Sequence, residues 1–381
     1  MEALKEIRMV DLKTQYESIK TEVNDAIQEV LDSTQFIKGP QVKSFEQNLA
    51  AYLKCNQVVS CANGTDALQI AMMALNYQPG DEIITSSFTY VATAEVIALL
   101  KLTPVLVDVN PDTFTIDPSA IEKAITAKTK AIVPVHLFGQ CAHMEPIIDI
   151  AQKHGLDVIE DNAQAIGATY YFANGKKQKS GTIGTVGTTS FFPSKNLGCY
   201  GDGGAMNTNN DSLADKLKKI ANHGQDKLYV HDEVGVNSRL DSIQAAILNI
   251  KLKYLDTYIS KRQQAAAFYN SIFGNHEQII TPVKAAWSTH VYHQYTIKLN
   301  NVNRDKLRQQ FANKGIPTMV YYPIPLHMQK AYADSRYAEG MFPVTENLCK
   351  SVLSLPMHTE LTQNELTYIA ETVIKEIKTA N

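Results

Sequence analysis

Between about residue 58 and residue 205, short β-rich runs alternate with longer stretches in which apolar positions recur every three to four residues. A period near 2 fits a pleated strand and a period near 3.6 fits one face of a helix, so the pattern predicts strands covered by helices. Val58-Val59-Ser60-Cys61 reads as a strand, after which Asn63-Gly64-Thr65 turns the chain into a helix with Leu68, Ala71, Met72 and Leu75 on one face. Strands are expected at 82–85, 103–107, 131–135 and 156–160, with helices at 92–100 and 144–154. Strand and helix in regular alternation predict an α/β fold with a mostly parallel central sheet.

Beyond residue 205 the texture becomes helical. Helices are expected at 211–222 and 242–272, the second uninterrupted by proline and read as a bridge between domains. A strand at 291–299, a helix at 304–314 closed by Gly315 and a strand at 318–322 follow. The expected division is a large domain over 1–249, including an N-terminal arm, and a small C-terminal α/β domain over 250–381. No repeat or low-complexity linker interrupts the chain.

Composition narrows the possible functions. A chain of 381 residues, 44% hydrophobic and 20% charged, has the make-up of a globular protein with one large core and a smaller one. Its net charge of -3 argues against a general nucleic-acid or anionic-membrane binder. Cys55, Cys61, Cys141, Cys199 and Cys349 are odd in number and lack CxxC spacing, which indicates neither a disulfide framework nor a zinc ribbon. With no export signal and no apolar run approaching roughly 18 residues, the expected location is the cytoplasm.

The chemistry concentrates in the stretch from Thr188 to Ala205, where Lys195 lies between an apolar strand, Phe191-Phe192-Pro193, and a glycine-rich turn. An amine becomes a nucleophile near neutral pH when its ammonium form is disfavoured, as apolar surroundings do. Asp161 falls at the carboxyl end of a predicted buried strand, where open α/β sheets place their ligands. A carboxylate there can keep a pyridine nitrogen protonated, which pyridoxal phosphate needs to act as an electron sink. Asn63-Gly64-Thr65-Asp66 offers free N–H groups at a helix start for a phosphate, and Ser190 adds a hydroxyl. Tyr90 opens another helix and can lie flat on a cofactor ring. P-loop, zincin, hydrolase-elbow and dinucleotide-binding signatures are absent, and the histidines lack metal-ligand spacing, so no metal is expected.

The same residues resemble the DegT/DnrJ/EryC1/StrS sugar aminotransferases, a branch of the fold-type I pyridoxal phosphate enzymes, nearly end to end. The matching segments include Gly39-Pro40, Ala62-Asn63-Gly64-Thr65-Asp66, Phe88-Thr89-Tyr90-Val91-Ala92-Thr93, Pro134-Val135-His136-Leu137-Phe138-Gly139-Gln140, Glu160-Asp161-Asn162-Ala163-Gln164, Ser190 to Gly204, Gly235-Val236-Asn237-Ser238-Arg239-Leu240 and Tyr322-Pro323-Ile324-Pro325-Leu326. The resemblance implies that Lys195 binds the cofactor carbonyl and moves the proton, with Asp161 the partner of the ring nitrogen. It makes Gln164 a contact of the ring hydroxyl, Tyr90 a stacking ring, and Gly64, Thr65 and Ser190 the phosphate holders. Asn237 would reach the phosphate of a neighbouring subunit, which implies a homodimer with shared sites. L-Glutamate is the implied amino donor and a nucleotide-linked keto sugar the acceptor. Relatives with histidine in place of the lysine act as dehydratases, so Lys195 implies transamination.

Phe191-Phe192-Pro193-Ser194-Lys195 and the Cys199-Tyr200 turn look most like the subgroup that aminates C3 of UDP-2-acetamido-2-deoxy-3-oxo-D-glucuronate, en route to bacterial surface polysaccharide (O-antigen). In that reading Arg239 binds the sugar carboxylate, and Tyr321, Tyr322 and His327 are the other candidate substrate contacts. One departure stands out: Tyr321 occupies a position where that subgroup commonly has histidine. The alternatives are amination of a dTDP- or GDP-linked keto-6-deoxyhexose at C3 or C4, and a non-catalytic binding protein built on the same fold.

Overall fold

The computed structural model describes residues 6–380. Two helices, α1 (Leu12–Ser33) and α2 (Pro40–Leu53), lead into the alternating region: β1 (Gln57–Cys61), α3 (Gly64–Ala74), β2 (Glu82–Ser86), α4 (Ala92–Leu99), β3 (Thr103–Val107), α5 (Pro118–Ala124), β4 (Thr129–Val133), α6 (Met144–His154) and β5 (Asp157–Asp161). A hairpin of β6 (Thr169–Tyr171) and β7 (Lys177–Lys179) precedes β8 (Val186–Ser190) and β9 (Gly204–Thr208). Then come α7 (Asp211–Ile220), a second hairpin of β10 (Gln225–Lys227) and β11 (Val230–His231), and α8 (Ser242–Phe273).

The central sheet has seven strands in the order β1-β9-β8-β5-β4-β2-β3. All run in one direction except β9, which is antiparallel to both neighbours. The carboxyl ends of β1, β2, β5 and β8, and the start of β9, therefore share one edge. Successive strand residues face opposite sides: Val158 joins the core beneath α2 and α8, and Ile159 the core beneath α3 and α7. Helices on both faces let a sheet this apolar stay buried.

A second core forms around the antiparallel strands β12 (Ile279–Ile280), β13 (Tyr295–Leu299) and β14 (Val352–Leu355). Helices α9 (Arg304–Asn313), α10 (Pro343–Ser351) and α11 (Gln363–Ile377) accompany it. Helix α8 is 32 residues long and enters both cores, with Leu248 and Leu255 in the first and Tyr269 and Phe273 in the second. The amino-terminal arm behaves differently from its place in the sequence, because Ile7 packs into this second core. Gln15 Nε2 also donates to Thr359 Oγ1 at 3.1 Å.

Two expected strands are shorter than their patterns. Residues 291–294 wrap over the large domain, with Val291 N donating to Gly139 O at 2.7 Å, before β13 begins at Tyr295. Residues 318–322 form no strand: only Met319 pairs, exchanging two backbone hydrogen bonds with Ser354 at 3.1 and 2.8 Å. Pro317 and Pro323 flank the segment and supply no N–H to a ladder, so its end turns toward the large domain.

Candidate active site

The sheet edge defined by the ends of β1, β5 and β8 gathers most of the residues singled out above. Lys195 follows β8 in a tight turn, its N–H donating to Phe192 O at 2.8 Å. The turn is pinned on both sides: Phe191 is buried edge-on against Phe45 with ring centroids 5.3 Å apart, and Asn196 Nδ2 donates to Val291 O at 3.0 Å. Lys195 forms no ion pair or side-chain hydrogen bond among the described residues. Burial lowers its pKa from the ordinary lysine value to about 8, against the opposing pull of the Asp161 charge. The Lys195 ammonium thus gives up its proton more readily than an ordinary lysine's.

Asp161 ends β5 and is 7% exposed. Thr93 Oγ1 donates to its Oδ2 at 2.8 Å and Ala163 N to its Oδ1 at 3.1 Å, so each carboxylate oxygen has one fixed partner and lone pairs to spare. Its neighbour Glu160 points to the opposite face. That carboxylate accepts from the backbone N–H groups of Gly181, Ile183 and Gly184 and lies 2.8 Å from His136 Nε2. The two adjacent acids have separate tasks, as strand geometry requires.

Helix α3 starts at Gly64, where the Asn63 side chain accepts from Asp66 N at 2.8 Å. The N–H groups of Gly64 and Thr65 have no acceptor within the helix and lie at its positive end. A Cβ on Gly64 would sit 2.6 Å from Ser190 Cβ, and one on Gly204 would sit 2.3 Å from Asn63 O. Glycine at both positions therefore lets the helix start press directly against β8 and β9, beside Ser190. The resulting cradle suits a phosphate. An amine of lowered pKa, a fixed strand-end carboxylate and an anion cradle together fit pyridoxal phosphate.

Aromatic rings close the mouth. Tyr322 reaches in from the smaller domain and packs against Phe88 and Tyr90 with ring centroids 6.1 and 6.2 Å away. Gln164 Nε2 donates to Tyr322 Oη at 3.1 Å while its Oε1 accepts from Phe138 N at 2.8 Å. Tyr90 is 58% exposed and offers its ring to the opening. Tyr321 stacks edge-on against Tyr322 at 5.9 Å.

The remaining candidates make no contact with Lys195 or Asp161 among the described residues. Asn237 is exposed and bridged to Asn222, and Arg239 is half-buried with no ion pair among the described residues. His327 is buried with both ring nitrogens engaged, Nδ1 by Ser87 Oγ at 2.8 Å and Nε2 by Glu346 at 3.2 Å. Those bonds tie residues 326–346 to the end of β2 and leave the ring no free nitrogen for a ligand. Two residues that the sequence reading left without a role also belong to the site. Thr93 anchors Asp161 from the first turn of α4, where no local pattern marks its hydroxyl. His293 is held neutral: burial first, then the charges of Lys195 and Arg262, push its pKa well below the usual histidine range.

No helix among the described residues is long and apolar enough to cross a membrane. None of their His, Cys, Asp and Glu side chains group in threes fit to hold a metal.

The chain matches the DegT/DnrJ/EryC1/StrS aminotransferase family over residues 17–374. It is 49% identical to the UDP-2-acetamido-2-deoxy-3-oxo-D-glucuronate aminotransferase of Pseudomonas aeruginosa, covering 93% of this chain and 96% of that one. A Geobacillus stearothermophilus protein named pleiotropic regulatory protein is 47% identical over 96% of this chain and 97% of its own. Among solved structures, NtdA from Bacillus subtilis with bound cofactor PMP superposes with a TM-score of 0.90 at 33% identity, covering 99% of this chain and 86% of that one.

Proposed function

We propose, because this chain belongs to the DegT/DnrJ/EryC1/StrS aminotransferase family and is thereby a pyridoxal phosphate-dependent sugar aminotransferase, that its acceptor is UDP-2-acetamido-2-deoxy-3-oxo-D-glucuronate, aminated at C3 with L-glutamate as donor. The observation that carries the aminotransfer is the unpaired Lys195 amine, with its pKa near 8, facing the same sheet edge as Asp161 and the α3 cradle. The 49% identity to the Pseudomonas enzyme supports the choice of sugar.

Bound pyridoxal phosphate supplies the electron sink for the carbanion formed at the donor's α-carbon. Lys195 Nζ would hold the cofactor carbonyl at rest. With its carbonyl partner given up to a donor amine, the same tethered Nζ would take a proton from the donor's α-carbon and deliver it to the cofactor's former carbonyl carbon, serving as base and then acid. Asp161, fixed by Thr93 and Ala163, sets a negative charge against the ring nitrogen. Gly64 and Thr65 N–H groups with Ser190 Oγ bind the phosphate, and Tyr90 covers one ring face. Gln164, through Tyr322, ties the smaller domain to the ring edge. Arg239 suits a carboxylate because its guanidinium presents two parallel donors.

In this reading the active unit is a homodimer in the cytoplasm, with Asn237 and Arg239 reaching the partner's site, and its product enters surface polysaccharide (O-antigen) synthesis. The complete set of Lys195, Asp161 and cradle favours an enzyme over a solely regulatory protein. The test is mass spectrometry of products from UDP-, dTDP- and GDP-linked keto sugars, each incubated with enzyme and glutamate. Amination of the uronate well above its counterpart lacking the C6 carboxylate is expected. Equal turnover of the two would overturn the assignment of the sugar.

A further inference from the structure

Two short runs of chain meet at the mouth of the site and are fastened to each other at both ends. One is Ser87-Phe88-Thr89-Tyr90, which leaves β2; the other is Tyr322-Pro323-Ile324-Pro325-Leu326-His327, from the smaller domain. At the mouth, the Tyr322 ring packs on Phe88 and Tyr90 at 6.1 and 6.2 Å. At the far end, Leu326 N donates to Ser87 O at 3.0 Å, and Ser87 Oγ lies 2.8 Å from His327 Nδ1. Pro323 and Ile324 between them are exposed, so the run is held at its ends, and the two prolines leave it little freedom to stretch.

The far end is polar although its surroundings are not. Ser87 is 1% exposed and His327 4%. Leu326 and Phe342 cluster there with Ala94 of α4 and Leu106 of β3, and Val91, the residue after Tyr90, packs against them. The Phe342 ring stands edge-on to His327 at 4.8 Å. An apolar pair would fill this space; a buried hydrogen bond costs desolvation and in return fixes distance and direction. The ring is held from its other side too, since His327 Nε2 lies 3.2 Å from Glu346 Oε1, which also accepts from Gly340 N at 2.8 Å. A carboxylate only accepts, so Nε2 carries a hydrogen, and in the neutral ring Nδ1 is then the acceptor for Ser87 Oγ. Helix α10, which carries Glu346, is pinned in turn beside the end of β3, because Asp108 accepts from Val344 N at 3.0 Å and Thr345 N at 2.8 Å. The chain Ser87–His327–Glu346 thus starts and ends on the central sheet.

We propose that His327 is a positioning residue for the acceptor sugar: the Ser87–His327–Glu346 relay sets the spacing of Tyr90 and Tyr322, the rings that bound the mouth, and through them how tightly the keto sugar is held. This rests on the reading of Tyr90 and Tyr322 as cofactor and substrate contacts, and it gives His327 an indirect part in place of a direct contact.

The experiment measures KM and kcat of the holoenzyme for its keto sugar in Ser87→Ala, His327→Leu, His327→Gln and His327→Asn. Asparagine sets a polar atom where Nδ1 stood and keeps the Ser87 bond, glutamine sets one where Nε2 stood and keeps only the Glu346 bond, and leucine fills the space with neither. KM is expected to rise about tenfold in Ser87→Ala and His327→Leu with kcat held within about twofold, to stay raised in His327→Gln and to be largely restored in His327→Asn. Combining Ser87→Ala with His327→Leu is expected to add little to either alone, since both break one bond. A residue that only fills space gives the opposite order, leucine and glutamine above the smaller asparagine. That order, or an unchanged KM in Ser87→Ala and His327→Leu, overturns the relay. A second readout needs no substrate: crystal structures of the cofactor-free protein, with the Tyr90 and Tyr322 rings 6.2 Å apart when unaltered and displaced in Ser87→Ala. Should no keto sugar be aminated, the proposed acceptor fails while this comparison still decides the relay, and rings unmoved in both Ser87→Ala and His327→Leu overturn it.

Discussion

Lys195 and Lys251 are both lysines whose pKa burial lowers to about 8, yet their surroundings have little in common. Lys251 lies about a third of the way along α8, 1% exposed, with Leu248 and Leu255 a turn to either side and its ammonium 5.1 Å from the centre of the Tyr200 ring. No carboxylate pairs with it among the described residues. Lys195 instead sits at the open sheet edge with Asp161 in its field and a phosphate-shaped helix start across from it. A weakened ammonium is thus common to both; reach and neighbours separate them. Depressed basicity makes a lysine available for chemistry only where a reacting atom can approach.

The widest separation is expected on removing each amine. Lys195→Ala lowers transamination by at least about 1,000-fold, whereas Lys251→Met leaves turnover within about twofold, both read by steady-state rates. Comparable losses in the two would erase the distinction. Next, Asp161→Asn tests whether the neighbouring charge is what marks the catalytic lysine, and turnover is expected to fall by about 100-fold with little change in melting temperature. Third, labelling of the cofactor-free protein by an amine-selective reagent separates accessibility from basicity. Labelling of Lys195 rises about tenfold per pH unit below about 8 and levels off above it, while Lys251 stays unlabelled throughout.

The smallest effect is on stability. Each folded-state pKa lies below the ordinary lysine value of 10.5, so between about 8 and 10.5 the unfolded chain binds more protons, and stability rises with pH across that window. Lys251→Met removes one such contribution, so its melting temperature at pH 7 is expected to equal or slightly exceed that of the unaltered protein. A clear drop would mean that the Lys251 charge is compensated after all.

Much of the site was legible because its parts are contiguous in sequence. The run Asn63-Gly64-Thr65 starts α3, Asp161 ends β5, and Ser190 to Gly204 holds both the lysine and the glycine that fits under Asn63. The ends of β1 to β5 followed from the sequence to within about two residues, since each holds a short β-branched or apolar core bounded by turns and is buried on both faces. What escaped depends on partners far apart in the chain. Thr93 meets Asp161 across 68 positions, and nothing local marks its hydroxyl as an anchor. The reversal of β9 is likewise invisible, because a two-face-buried strand has the same composition whichever way it runs. Residues 318–322 carry a strand's composition, but their flanking prolines and the pull of Gln164 on Tyr322 decide otherwise.

Helix α8 also bears on how the molecule can be divided. At about 48 Å it runs from just after Arg239 into the middle of the second core, and the junction at 249–250 falls inside it. Severing the chain there would cut an unbroken hydrogen-bonded rod rather than a tether, exposing Leu248 and Leu255 on one piece or the other. With Ile7 of the amino-terminal arm packed into the second core, the two halves are expected to depend on one another to fold. Heat or denaturant should therefore melt the protein in a single transition, and a protease should find no stable fragment to leave behind.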